Sequence, residues 1–378
     1  MTKLALNTFR LKNFKAVKDS KVIKFTPLTV FIGNNGSGKS SIIEGLETFQ
    51  SIALNGLDKA MEPWKGIEHI AHKSAIERKG LSLQLKSPIC FYLKCHDYRA
   101  VMKIIAGLDN ISIQHEEFYS KQTKAIRKDS GSAEITYTSS QPPDVLQVDF
   151  RIGNSMLGYI NRRSISSWQF LTLIPQFMGL PNPQRRAVKG GTLEKDGSNI
   201  AEYLFRIKLL DSSAFEGILE TLQYVLPYAR DLQSSITSEL ERTVYLQMTE
   251  KDFKIPGWLL STGTLRFLAI LALLRHPEPR PIIFIEEIEN GLDPRTINIL
   301  VEEIRNAVES EKTQIIITTH SPYLLDLLHL SQLVLVERDE NNQPVFSRPA
   351  DQEELREWSK TFAPGKLYTM DRIHTTKK

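Results

Sequence analysis

Gly33-Asn34-Asn35-Gly36-Ser37-Gly38-Lys39-Ser40, followed by Ser41, is the stretch of this 378-residue sequence on which the fold turns. It meets the spacing Gly-x-x-x-x-Gly-Lys-Ser at every fixed position. Before it, Pro27-Leu28-Thr29-Val30-Phe31-Ile32 is a β-rich run; after it, Ser40-Ser41-Ile42-Ile43-Glu44-Gly45-Leu46 has helical spacing. Strand, glycine-rich loop and helix in that order make the unit that seats a phosphate. The glycines let successive backbone N–H groups turn toward one anion, where a Cβ would obstruct them. Lys39 offers a point charge to the β- and γ-phosphates, and Ser40 Oγ a ligand for Mg²⁺. The helix start adds its positive dipole end. A glycine-rich turn matching by accident would lack these flanks, so Gly33–Ser41 is read as an ATP-binding loop.

Three downstream segments have the chemistry to complete such a site. Pro281-Ile282-Ile283-Phe284-Ile285-Glu286-Glu287 is a buried-strand run ending in two carboxylates. In a parallel sheet that end lies where a metal and water gather, so Glu286 is expected at Mg²⁺ and Glu287 at the attacking water. Leu260-Ser261-Thr262-Gly263-Thr264 opens the apolar helix Leu265–Leu274, where free N–H groups and a hydroxyl suit a γ-phosphate; an ordinary N-cap explains the same residues. Thr313–Thr319 is another β-rich run, followed by His320-Ser321-Pro322. His320 is placed to sense a γ-phosphate, although a lone histidine at a strand end also serves structural roles.

Taken in order, with Asn290-Gly291-Leu292-Asp293-Pro294 between the last two, these segments resemble the ABC ATPase superfamily, in particular its RecF, SMC and OLD branch. Asn13-Phe14-Lys15, Asp196-Gly197-Ser198-Asn199-Ile200-Ala201, Leu265-Arg266 and Thr318-Thr319-His320-Ser321-Pro322-Tyr323-Leu324-Leu325-Asp326 share the likeness. It is closest to compact bacterial AAA family ATPases associated with anti-phage defence, and is weakest over about 85–190. The resemblance implies an α/β P-loop NTPase of the ABC-head kind, with a mixed central sheet, an antiparallel β subdomain and a helical lobe. Residues 1–160 and 280–378 would form the ATP-binding lobe, and 161–279 the helical lobe with the signature motif. Lys39 and Ser40 correspond to Walker A, and Ser261, Gly263 and Thr264 to the signature. Glu286 and Glu287 correspond to Walker B and the catalytic glutamate, Asp293 to the D-loop, and His320 to the switch histidine.

The family closes the signature of one protomer on ATP held by another, which implies Mg²⁺-dependent ATP hydrolysis in a homodimer or higher oligomer. Two departures stand out. Glu286 replaces the more usual Asp, which a water bridge to Mg²⁺ accommodates. Thr262-Gly263-Thr264 replaces Gly-Gly-Gln. The Q-loop glutamine is left open among Gln84, Gln114 and Gln147. The implied role is a dimerising switch in DNA repair or phage defence. OLD-type proteins carry a nuclease domain, for which the stretch after His320 is too short, so a nuclease or toxin effector is expected as a separate protein. A transporter's nucleotide-binding subunit and an ATP-regulated scaffold are the alternatives; the opening hairpin and the long insertion before the signature suit a transporter poorly.

Composition sets the frame. With 41% hydrophobic and 24% charged residues, the chain can bury a core. The longest clean apolar run, Phe267–Leu274, is far short of the roughly 20 residues that span a bilayer, and the start lacks a secretory signal. No membrane association and a cytoplasmic location are therefore expected. Cys90 and Cys95 are spaced to point to opposite strand faces, and the histidines show no zinc-type grouping, which argues against a disulfide or a protein-built metal site. The net charge of +4 permits DNA contact. Arg10, Lys12, Lys15, Lys18, Lys21 and Lys24, with Lys121, Lys124, Arg127 and Lys128, are candidates; a solvated charged hairpin explains them equally well.

Coarser reading gives a hairpin over Leu4–Phe25 turning at Asp19-Ser20, and strands at Leu81–Leu85, Ile89–Lys94, Ile111–Tyr119, Ala133–Thr138 and Val145–Phe150. Helical pattern follows over Ser164–Leu240, with a Pro/Gly/basic loop at Pro181–Gly191, and helix–strand alternation after Ser261.

Overall fold

A computed structural model describes residues 5–79, 82–107, 110–128, 131–138, 143–151, 153–183, 191–237 and 243–373. Most of the expected Pro181–Gly191 loop, together with Leu4, Leu81 and the turn residues Asp129-Ser130 and Gln141-Pro142, lies outside them. The chain forms two compact units, one of residues 1–168, 330–362 and 370–378, the other of 169–329 and 363–369.

The first unit is built on a nine-stranded antiparallel sheet. Its order is Asp144–Asp149, Ser132–Tyr137, Thr123–Lys128, Ile111–Ser120, Tyr98–Ala106, Ile89–Cys95, Leu6–Phe14 and Val17–Asp19, with Ile23–Lys24 also paired to Leu6–Phe14. The opening turn falls at Lys15-Ala16, not at the expected Asp19-Ser20. Asn13 and Lys15 adopt the left-handed conformation there, with φ of 57° and 47°. Ser82–Leu85 pairs with Ile76–Lys79 in a separate ribbon, so it does not extend the large sheet.

Two strands of that sheet, Tyr98–Ala106 and Thr123–Lys128, were not expected. The second is hidden by an inward-facing charge. Arg127 is fully buried and pairs at 3.3 Å with Glu116, also fully buried. Glu116 is further held by the Ser155 hydroxyl and by Met156 N at 2.8 Å, which compensates part of its desolvation. Polar and basic residues therefore occupy positions where an apolar alternation would mark a strand.

The helix Lys39–Asn55 packs on Leu6–Phe14, with Gly45 against Leu11. Phe49 on that helix meets Phe91 at 6.0 Å and Trp168 at 6.1 Å, and Phe14 meets Phe91 at 6.2 Å. Leu28–Ile32 is buried at every position and pairs in parallel with Leu333–Arg338, which turns back into Pro344–Ser347. Cys90 and Cys95 are buried free thiols.

The second unit contains Ile282–Ile285 and Gln314–Thr319, parallel neighbours buried throughout. A strand covered on both faces reads as an unbroken apolar run, as Ile282–Ile285 does, and Gln314–Thr319 shows it over Ile315–Ile317 beside β-favouring threonines. Helices Thr262–Leu274 and Pro294–Glu309 pack together beside them. Helices Ile200–Leu210 and Ser212–Val225 fall in the stretch expected to be helical, but Ala229–Ile236 does not continue them. It is a strand of a small sheet with Thr243–Glu250, Phe253–Pro256 and Asn182–Pro183. Among the described residues no helix is long and apolar enough to cross a membrane.

Candidate active site

In the first unit the buried strand Leu28–Ile32 ends directly in the glycine-rich loop that precedes helix Lys39–Asn55. Gly36 and Gly38 have φ of 74° and 113°, which folds the loop back over the start of helix Lys39–Asn55. No side chain caps that helix, so its first N–H groups stay directed at the loop. Lys39 is buried, and its Nζ donates to Gly33 O at 2.6 Å and Asn34 O at 3.0 Å. Backbone carbonyls thus hold the ammonium within the loop. Ser37 Oγ is buried without a hydrogen-bond partner among the described residues, a polar group suited to an incoming oxygen. Ser40 and the loop tip Asn34-Asn35-Gly36 are exposed.

In the second unit the parallel register aligns Ile285 with Ile317, so Glu286-Glu287 and His320 leave their strands at the same edge. Glu287 Oε1 lies 3.7 Å from His320 Nε2. The backbone of Glu287 is left-handed, with φ of 46°, a conformation that costs a non-glycine residue about 1–3 kcal/mol. Two hydrogen bonds hold it there, Glu287 N to Thr318 Oγ1 at 2.9 Å and Ile288 N to Thr318 O at 3.4 Å. Asn290 Nδ2 donates to the other carboxylate oxygen. Glu289 Oε1 accepts from His320 N at 2.6 Å and steadies the histidine backbone. Glu286 is anchored by its N–H to Leu171 O at 3.1 Å and accepts from Thr172 Oγ1 at 3.5 Å.

The signature segment meets this cluster through a close backbone contact. A Cβ on Gly263 would stand 2.3 Å from Gly291 O, so only glycine lets the loop after Glu287 lie on the helix start. Ser261 caps that helix, accepting from Thr264 N at 3.0 Å and lying 2.8 Å from Thr264 Oγ1. The hydroxyl read as a phosphate contact is therefore used locally in the single chain, while Ser261 and Thr262 remain exposed. Asp293 caps Pro294–Glu309 through Arg295 N and Thr296 N, and the Thr296 hydroxyl holds its carboxyl below the usual range.

Arg266, on helix Thr262–Leu274, lies within electrostatic reach of Glu287 and Glu289. It donates to Leu173 O at 2.8 Å, and burial lowers its pKa against the pull of Glu287 and Glu289. Glu289, Asn290 and Thr318 were within reach of sequence reading, being neighbours of the assigned residues. Of the candidate glutamines, Gln84 lies in the two-stranded ribbon, and Gln114 and Gln147 lie in the nine-stranded sheet.

Relatives bear on this geometry at several levels. A family model described as "AAA ATPase domain" matches residues 5–147. A second, described as "AAA domain, putative AbiEii toxin, Type IV TA system", matches residues 164–326. The chain is 22% identical over 348 residues to an "ATP/GTP phosphatase" of Helicobacter pylori, covering 85% of this chain and 87% of that protein. Among solved structures, an SMC head bound to the C-terminal winged-helix domain of ScpA superposes with a TM-score of 0.52 at 14% identity, covering 93% of this chain and 99% of that one. An Smc head from Pyrococcus furiosus, with an extended coiled coil and bound to the C-terminal domain of ScpA, gives 0.51 at 13% identity, with 94% and 99% covered. At such identities the structures speak for the fold alone. Fold and family matches together make this chain an ATPase: an ATP-hydrolysing P-loop protein with the fold of an ABC-type head.

Proposed function

We propose that this ATPase is a dimerising switch of the RecF, SMC and OLD branch, acting in DNA repair or phage defence through a separate nuclease or toxin effector. The observation that carries the reading is Glu287, held in a strained backbone at a strand exit, 3.7 Å from His320. Strain that surrounding hydrogen bonds maintain is characteristic of reacting groups. The family description over residues 164–326, which names a toxin of a toxin–antitoxin system, supports the defence setting.

In this reading the triphosphate lies on Gly33, Asn34, Asn35, Gly36, Ser37, Gly38, Lys39, Ser40 and Ser41. Lys39 transfers its ammonium from the loop carbonyls to the phosphates. The Glu287 carboxylate takes a proton from the water that attacks the γ-phosphorus, while the bond to the β-phosphate oxygen breaks and ADP leaves. His320 orients the γ-phosphate and that water. Ser40 Oγ and Glu286 are hard oxygen donors that would suit Mg²⁺, and the ion would supply charge neutralisation at the phosphates.

Ser261, Gly263 and Thr264 close on the ATP of a second copy, with Asp293 at the same interface. The exposed Ser261 and Thr262 at the start of the signature helix support this, since they are accessible to a second copy. Ser261→Arg is expected to leave ATP binding intact and to abolish ATP-dependent dimerisation, read by light scattering on size-exclusion chromatography. Undiminished dimers with ATP would remove the two-copy site.

The charges of the opening hairpin lend direct DNA contact there little support. Arg10, Lys12 and Lys21 gather around Asp19, at 2.7, 3.8 and 3.8 Å, and Lys15 pairs with Glu44 at 2.6 Å. The Arg10 guanidinium holds the Asp19 carboxyl down to about 2. Much of the hairpin's charge is thus engaged within the chain.

A further inference from the structure

The hairpin Leu333–Arg338/Pro344–Ser347 carries a residue that no sequence motif flags. Leu333–Arg338 runs parallel to Leu28–Ile32, with Leu333 opposite Val30, Val334 opposite Phe31 and Leu335 opposite Ile32. Parallel neighbours leave a sheet at the same end, so Val336–Arg338 passes beside the phosphate loop. The approach is tight. A Cβ on Gly33 would stand 2.0 Å from Val336 O, and one on Gly38 would stand 2.8 Å from Pro344 Cγ.

Arg338 ends the strand, and its guanidinium donates through Nε at 3.0 Å and Nη2 at 2.6 Å to a single acceptor, Gly36 O. Nη1 donates to Asn342 O at 2.7 Å, so the hairpin's own turn fixes the fork from behind. That turn is closed by Asp339 N donating to Gln343 O at 2.9 Å, and Asp339 Oδ1 accepts from Asn341 N and Gln343 N.

The consequence lies in the peptide between Gly36 and Ser37. Its carbonyl is held by Arg338, and its N–H donates to Asn34 O at 3.1 Å. In a planar trans peptide the two groups point opposite ways, so holding both ends stops the unit from rotating. Three glycines in six residues would otherwise leave Gly33–Gly38 with much freedom to lose when a phosphate binds. We propose that Arg338 is a positioning residue for ATP binding, which sets the phosphate loop before nucleotide arrives and acts through the loop backbone. A lysine cannot reproduce the planar fork, because its ammonium is a single point of charge.

This inference rests on the assignment of ATP to Gly33–Ser41, so Lys39→Ala is measured alongside Arg338→Ala and Arg338→Lys in the full chain. Arg338→Ala is expected to raise the KM and Kd for ATP about 5–10-fold, as for loss of a solvent-exposed charge-assisted hydrogen bond, with kcat changed by less than about twofold. Its melting temperature without nucleotide should stay within about 2 °C of wild type, since the side chain is exposed. Arg338→Lys should recover only part of the affinity. Unchanged ATP affinity in Arg338→Ala, a matching loss of nucleotide-free stability, or full rescue by lysine would each overturn the proposal. If Lys39→Ala loses ATP while Arg338→Ala keeps wild-type affinity, this inference alone fails; if Lys39→Ala also binds normally, the phosphate-loop assignment fails with it.

Discussion

Glu287→Gln is expected to bind ATP, to lose turnover by about 100-fold or more, and to accumulate as an ATP-bound dimer. The amide has the size of the carboxylate and keeps an oxygen to accept from Asn290. The hydrogen bonds that hold the left-handed backbone come from main-chain N–H groups and survive the change. What disappears is the negative charge that takes a proton from water. Folding, nucleotide binding and closure are therefore separated from chemistry. Single-turnover phosphate release with excess enzyme gives the rate, and light scattering of the same sample gives the dimer. Wild-type turnover would show that another group is the base. A glycine at this position would be less informative, because it relieves backbone strain while removing the carboxylate.

Lys39→Ala is expected to weaken ATP binding on the order of 100-fold or more, by deleting a charge-assisted contact in a partly desolvated loop. The substitution also strips the donor from Gly33 O and Asn34 O. Asn34 is exposed, so water can replace part of that loss, and nucleotide-free stability should fall much less than affinity. Thermal shift reads both quantities in one experiment. ATP raises the wild-type melting temperature by mass action on the folded state, and the variant should show little rise at the same concentration. An equal rise in both proteins would place the nucleotide elsewhere.

Parts of this architecture were open to reading from residues alone, and the limits follow physical lines. The strand–loop–helix unit around Gly33–Ser41 was legible because its pattern is local, with glycines, lysine and serine at fixed spacing in one short segment. Ile282–Ile285 was visible because a strand buried on both faces is apolar without interruption, and Gln314–Thr319 because its Ile315–Ile317 run is flanked by β-favouring threonines. Thr123–Lys128 was invisible because its inward position Arg127 is neutralised by Glu116, eleven residues away on the neighbouring strand. Ala229–Ile236 was taken for helix because its outward Gln and Ser residues leave few apolar markers, with Ala229 and Leu232 the buried positions.

The opening turn shows how small the margin is. Asp19-Ser20 has good turn chemistry, yet Ser20 instead bonds back to Leu11, with its Oγ accepting from Leu11 N at 2.9 Å and its N–H donating to Leu11 O at 3.0 Å. The reversal itself falls where Asn13 and Lys15 accept positive φ.

Residue order and type were enough to decide that this chain carries a glycine-rich loop between strand and helix, an acidic strand end, a glycine-containing helix start and a histidine strand end. Each depends on neighbours within a few positions, where backbone geometry leaves little choice. Tertiary structure alone decided that Glu287 faces His320, that Gly263 lies under Gly291, and that Arg338 grips Gly36 from about three hundred residues away. Such pairings are set by strand register and close packing, energies that belong to the folded molecule and leave no mark on any one segment.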